Sequence, residues 1–315
     1  MTLAVGVDIG GTKIATGLVD ESGKILDSAS EPTPNDSTKI PAVVADLVER
    51  LVGDENASGI GIGAAGFVGE DRATVRFAPN IDWREEPLAE HVRSLVDLPV
   101  VVENDANAAA WGEFRFGAGE DTDDLLLVTI GTGIGGGIVH KGQLFRGGFG
   151  VAAEIGHMRL VPHGILCGCG QHGCFEQYAS GSALVRDARE RVANDDDGAT
   201  ALVALADGDL SRITGPAITE LAQSGDPLSI ELIADVGRWI GEGVAVLATI
   251  LDPSVIAIGG GVAAAGDLMM PSILEAFETH LPARAHRPEA SLRLAALGNE
   301  AGIIGAADLA RLEAG

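Results

Sequence analysis

The chain has 315 residues, and 46 acidic side chains stand against 21 Lys and Arg, a formal net charge of −25. That charge argues against nucleic-acid or anionic-membrane binding, because both need a basic face to neutralise phosphates. A hydrophobic content of 46 % argues against disorder, and at roughly 100–200 residues per domain the length predicts two domains.

The acidity is spread along the chain, and the longest aspartate run is only Asp195 to Asp197. Lys occurs only at positions 13, 24, 39 and 141. A uniformly acidic, Lys-poor surface resembles that of proteins from salt-loving organisms, where salt screens self-repulsion. Met1 runs straight into an apolar stretch with no basic leader. The most apolar stretch, Gly243–Leu251, falls far short of the ~20 residues that span a bilayer. The expectation is a soluble cytoplasmic protein. Three cysteines do not make a disulfide framework.

In chain order, Ala4–Ile9, Ile14–Val19 and Ile25–Ser30 read as a β-meander, broken by Gly10-Gly11 and by Asp20–Gly23. Thr38–Leu51 has helical spacing, with apolar residues at Ile40, Val43, Val44, Leu47, Val48 and Leu51. Gly59–Ala64 reads as a strand, Leu88–Leu95 as a helix and Val100–Glu103 as a strand. Asp105–Phe116 reads as a helix with Asn104 and Asp105 as capping residues. The order then restarts: strand Leu125–Ile130, a glycine turn Gly131–Gly137, and strand Ile138–His140. A long helix at Pro227–Leu251, strand Val255–Ile258, a helix near Leu268–His280, strand Leu292–Leu297 and a helix at about Glu300–Leu312 follow. Asp8–Thr12 and Thr129–Gly133 take equivalent places, which predicts two related α/β halves facing a central cleft. The expected division is a small α/β domain, 1–117, onto which a C-terminal helix at about 300–315 packs back, and a larger α/β domain, 118–299.

Three glycine turns each follow a strand: Gly10-Gly11, Gly131–Gly137 and Gly259–Gly261. Such turns let backbone N–H groups approach phosphate oxygens, with Thr12 adding a hydroxyl and Lys13 a charge. Asp8 could hold a water on Mg²⁺. One turn alone would read as a hairpin; three suit a nucleotide. Asp105, opening a helix after a strand, could accept a proton from a substrate hydroxyl, although Asn104-Asp105 reads equally as a helix cap. Cys167-Gly-Cys169-Gly-Gln-His-Gly-Cys174 is the most specific cluster. Three thiolates and one His give a closed tetrahedral zinc site, with His157, His163 or His172 near enough to be the fourth ligand. Glu154, His157 and Glu176 flank it and could bind sugar hydroxyls, or be surface groups in an acidic chain. Asn80–Trp83 could border a cleft, with Trp83 as well placed for the core.

These stretches together resemble the ROK family of sugar kinases, and within it the glucokinases. The resemblance covers Asp8–Lys13, Gly61–Gly66, Pro79-Asn80, Glu103–Asp105, Thr129–Gly137, Glu154–His157, Cys167–Glu176 and Gly259–Val262. It implies a two-domain actin-like ATPase (ribonuclease H-like) fold with an interdomain cleft that closes on sugar. It implies Asp105 as general base toward the sugar 6-hydroxyl, and Gly66, Asn80, Asn104, Asp105, Glu154, His157 and Glu176 as sugar-binding positions. It implies Asp8, Gly10, Gly11, Thr12, Lys13, Thr132, Gly133, Gly260 and Gly261 on the nucleotide. It also implies His157 with Cys167, Cys169 and Cys174 on a structural Zn²⁺. The expected reaction is phosphoryl transfer from ATP, with Mg²⁺, to the 6-hydroxyl of glucose. The alternatives are another hexose of the family (N-acetylmannosamine, fructose or allose) or a non-catalytic sugar sensor. A homodimer or homotetramer is expected. The phosphate loop starts within ten residues of Met1, so no DNA-binding extension is expected.

Overall fold

A computed structural model describes residues 2–53, 55–78, 80–194, 196, 198–261 and 265–314. Pro79 and Val262, which belong to two of the family-like stretches, lie outside the described residues, as do Asp195 and Asp197.

The first three apolar runs form β1 (Leu3–Ile9), β2 (Lys13–Val19) and β3 (Ile25–Pro32). Helix α1 (Ile40–Val52) follows, preceded by a 3₁₀ turn that Asp36 caps. Next come β4 (Ala57–Ala64), a small meander of β5 (Phe67–Val68), β6 (Val75–Ala78) and β7 (Trp83–Glu86), and α2 (Leu88–Arg93). Strand β8 (Val100–Asn104) runs into α3 (Asp105–Phe116). Then follow β9 (Leu125–Ile130), β10 (Ile134–His140) and β11 (Gln143–Leu144). The helices α4 (Glu176–Ala179), α5 (Gly181–Ala193), α6 (Thr200–Ala206), α7 (Gly215–Gln223) and α8 (Pro227–Leu251) come next. The chain ends with β12 (Val255–Gly259), α9 (Gly266–His280), β13 (Ser291–Leu294) and α10 (Ala301–Ala314).

Two compact units divide the chain: Met1–Leu127 with Gly136–Ala153 and Ala295–Gly315, and Val128–Gly135 with Glu154–Leu294. The main sheet of the first unit has the order β3-β2-β1-β4-β8. β1, β2 and β3 pair antiparallel, whereas β1, β4 and β8 are parallel. Alternation along β1 sorts its residues to two faces. Val5, Val7 and Ile9 join Val44, Leu47 and Leu88 of α1 and α2 in one core. Ala4 joins Ile303 and Ala307 of α10 on the other face. Helix α10 lies very close there. A Cβ on Gly6 would meet Ile303 O at 1.9 Å, and one on Gly61 would meet Ala306 O at 1.8 Å. Trp83 is core, 2 % exposed.

The second five-stranded sheet has the order β11-β10-β9-β12-β13, the same as the first when strands are counted within each sheet. Its β10–β11 pair is antiparallel and its β12–β13 pair parallel, as are their counterparts. The repeat of order and spacing is therefore a repeat of topology. The glycine-rich run Ile134–Gly137 is strand rather than turn. Strand β13 stops at Leu294, because the N–H groups of Ala296 and Leu297 donate to the buried Glu113 carboxylate instead. The small β5–β7 meander, α4, α5, α6 and α7 were not among the expected elements. Among the described residues, no helix is long and apolar enough to cross a membrane.

Candidate active site

In the first unit, parallel pairing in register aligns Ile9, Ala64 and Asn104 at the carboxyl ends of β1, β4 and β8. Loops leaving that edge therefore carry Gly10–Lys13, Gly66 and Asp105 from one side of the sheet. Gly10 N–H donates to Lys13 O at 3.0 Å and closes the first glycine turn, leaving Gly11, Thr12 and Lys13 exposed. Asn80 lies beside this turn, its Cβ 3.6 Å from where a Gly11 Cβ would stand. Asp8 sits beneath. Burial pushes its carboxyl above the ordinary range, and nearby Lys13 only partly opposes this.

Asn104 and Asp105 form a connected group. Asn104 Oδ1 accepts the Asn107 N–H at 3.0 Å and so caps α3. Asn104 Nδ2 donates to Gly66 O and to Asp105 Oδ1, both at 3.1 Å, and the Ala106 N–H donates to the same Asp105 oxygen at 2.9 Å. Only glycine fits at position 66, where a Cβ would meet Phe77 O at 2.5 Å. The cap and the site are thus one structure: a helix start whose carboxylate is oriented by its neighbours.

In the second unit, the ligand atoms of His157, Cys167, Cys169 and Cys174 lie within 4.8 Å of one another. Cys169 Sγ and Cys174 Sγ are 3.6 Å apart, and Cys167 Sγ is 3.7 Å from His157 Nδ1. A tetrahedron with Zn–S bonds of about 2.3 Å has edges of about 3.8 Å, so the donors fit zinc. Burial pushes the Cys167 and Cys174 thiols up, while the hydrogen bond from the Gln171 backbone holds Cys169 down. Buried thiolates need a cation beside them. Gly173, at φ +80°, lets the loop fold back so closely that a Cβ would overlap Val161 O. Of the three histidines considered, His157 joins the cluster, and His172 Nδ1 pairs with Gly164 O at 2.9 Å.

Glu176 borders the cysteines. Its Oε1 accepts from Cys167 Sγ at 3.0 Å and lies 3.7 Å from His157 Nδ1. Its Oε2 lies 2.8 Å from where a Gly133 Cβ would stand, so the second glycine loop runs beside it. Burial raises the Glu154 carboxyl, the His157 ring opposes this and the Glu176 charge adds to it. The turn Gly131–Gly133 closes on itself at 3.0 Å and accepts the Gly181 N–H at 2.8 Å, which joins it to the start of α5. Gly260, at φ +88°, has no room for a side chain against Ile130.

Gly131, Thr132 and Gly261 line a cavity of about 900 Å³ whose remaining wall comes from α5 and α7, including Arg186, Arg189 and Pro216. Arg189 donates to Ile213 O at 3.0 Å, while its Nε is buried with no hydrogen-bond partner among the described residues. A cation beside two glycine loops suits an anionic ligand with an apolar part. The α5 and α7 residues were not predicted. Ser182, Arg186 and Arg189 share one face of α5, a pattern that in sequence reads only as a solvated helix face.

The ROK family pattern matches residues 4–313. A glucokinase of Streptomyces coelicolor is 50 % identical over 311 residues, covering 99 % of this chain and 98 % of that protein. The crystal structure of a ROK family glucokinase from Streptomyces griseus, in complex with glucose and AMPPNP, is similar with a TM-score of 0.90 and 51 % identity. That match covers 98 % of this chain and 99 % of that one. A ROK hexokinase from Thermus thermophilus is similar with a TM-score of 0.82 and 35 % identity, covering 99 % of each chain. These neighbours carry the actin-like ATPase fold, and the repeated sheet order described above is consistent with it. The chain belongs to the ROK family.

Proposed function

We propose that the protein is a glucokinase, transferring a phosphoryl group from ATP to the 6-hydroxyl of glucose. The observation that carries this reading is the Gly66–Asn104–Asp105 group, which fixes a carboxylate at the sheet edge beside a glycine turn. The sugar O6 attacks the γ-phosphorus, its proton passes to Asp105, and the bond to the ADP oxygen breaks. Gly66, Asn80 and Asn104, with Glu154, His157 and Glu176, hold the sugar hydroxyls. The backbone of Gly10 and Gly11, with Thr12, Lys13, Thr132 and Gly133, holds phosphates. Gly260 and Gly261 take the adenosine side, beside the α5–α7 cavity. Mg²⁺ supplies charge neutralisation when bound with the nucleotide, and Asp8 is the carboxylate that would hold it or its water. A zinc ion would be structural, because His157, Cys167, Cys169 and Cys174 would hold it as a full set of four donors. Held in this way, His157 would keep its orientation and present its other ring nitrogen to sugar.

The enzyme works in the cytoplasm as a homodimer or homotetramer, on the strength of the family resemblance. A coupled assay of ADP release on glucose, N-acetylmannosamine, fructose and allose tests the substrate. Glucose is expected to have the highest kcat/KM. A tenfold preference for another sugar would replace it, and no ADP release with any hexose would leave a sugar sensor.

A further inference from the structure

Glu103 directly precedes the Asn104–Asp105 group, is 2 % exposed, and has no role in the reaction as described so far. Its carboxylate is held on both oxygens. Oε1 accepts the Asn104 N–H and the Asn107 Nδ2–H, each at 3.1 Å. Oε2 accepts the Arg146 Nε–H at 2.5 Å and lies 3.7 Å from Arg72 Nε. Arg72 is paired on its far side with Glu313, and its carbonyl accepts the Val102 N–H at 2.8 Å.

Three segments meet here: the turn at Arg72, the end of β8, and the glycine run that begins at Arg146. A second contact seats that run. Gly150 has φ +84°, and a Cβ there would stand 2.7 Å from Val68 O and 2.8 Å from Glu70 N. The run therefore rests on the same meander whose Gly66 carbonyl accepts from Asn104.

A buried ion pair is a costly way to gain stability, because desolvation offsets most of its attraction. What it supplies is direction: a carboxylate gripped on Oε2 has its Oε1 aimed at fixed donors. We propose that Glu103, held by Arg146, is a positioning residue for catalysis, fixing the Asn104 backbone and through it the Asp105 carboxylate. The proposal rests on reading Asp105 as the base. Without Arg146, the Glu103 carboxylate is drawn toward Arg72 alone and turns away from the Asn104 N–H. The base then loses its aim, although every group thought to touch sugar is still present.

The test is Arg146→Met in the full chain, with kcat expressed per glucose-binding site counted by titration calorimetry. Misplacement of about 1 Å costs about a hundredfold. The expected loss in kcat is therefore about ten- to a hundredfold, with ATP KM unchanged and glucose Kd moved far less than kcat. Glu103→Gln is expected to lose activity too, and the double variant no more than the worse single one, because both break one contact. Wild-type kcat per site, a loss confined to thermal stability, or multiplying losses in the double variant would overturn the proposal. If Arg146→Met does not fold, Arg146→Lys, which keeps the charge but not the Nε–H, is judged by the same outcomes. Turnover retained in Asp105→Asn would instead sink the reading of the base. A dead Asp105→Asn beside a wild-type Arg146→Met would sink only this inference.

Discussion

At Asp8, stability and the proposed role toward Mg²⁺ pull in opposite directions. Burial raises its pKa, so the fold favours its neutral form. The stability this contributes is full below the ordinary Asp value of ~3.9 and is lost as pH rises through the raised value. At neutral pH the buried charge is a cost in the absence of a cation. Asp8→Asn is therefore expected to raise Tm at pH 7 and to flatten the pH dependence. It should also remove most Mg²⁺-dependent turnover. Melting curves from pH 4 to 8 without nucleotide check the first part, and a fall in Tm at pH 7 would contradict it. At this scale the sequence was legible where a motif is local. Asp8–Lys13 and Glu103–Asp105 are short and their spacing is their meaning. Arg146 lies 43 residues from Glu103, and no periodicity links them.

Elements built from one strong pattern were read nearly to the residue, as with α3 and α8. Those that depend on tertiary contacts were not. The short β5–β7 meander has no alternating apolar run, and the expected strand at Leu292–Leu297 lost its end to Glu113. The zinc loop was legible because clustered cysteines between glycines have few other uses; spacing alone left three histidines open as the fourth donor, the family resemblance pointed to His157, and His157 is the one that joins the cluster. Elemental analysis should find one zinc per chain, and replacing Cys167, Cys169 and Cys174 together by Ser should remove it, lower Tm and abolish activity. A folded, fully active triple variant would refute a structural role. Gly61→Ala drives a methyl into the Ala306 carbonyl of α10. It should destabilise by about 3 kcal/mol, the upper end of overpacking costs. An unchanged Tm would show that α10 does not sit so closely on β4.

For the whole molecule, the net charge of −25 sets a problem for an enzyme that binds a polyanionic nucleotide. From sequence, Lys13 was the one permanent cation among the proposed site residues. The structure adds Arg186 and Arg189 at the cavity beside the glycine loops. The long-range repulsion between protein and nucleotide remains, and added salt screens it over about a Debye length. Activity is expected to rise as salt increases from low concentration, with ATP KM falling. A monotonic loss of activity in a salt titration would mean the acidity is incidental. The two-halved topology was legible because strand order and glycine turns repeat, even though the sequences of the halves scarcely do.

The proposed reaction turns on Asp105 taking the proton of the sugar hydroxyl. The most direct measurement is ADP release by Asp105→Asn with glucose, alongside its glucose affinity by calorimetry. Turnover is expected to fall by at least about a hundredfold, with affinity largely retained, because Asn keeps the hydrogen bonds but cannot accept the proton. Near-normal turnover in a variant that binds glucose would contradict it.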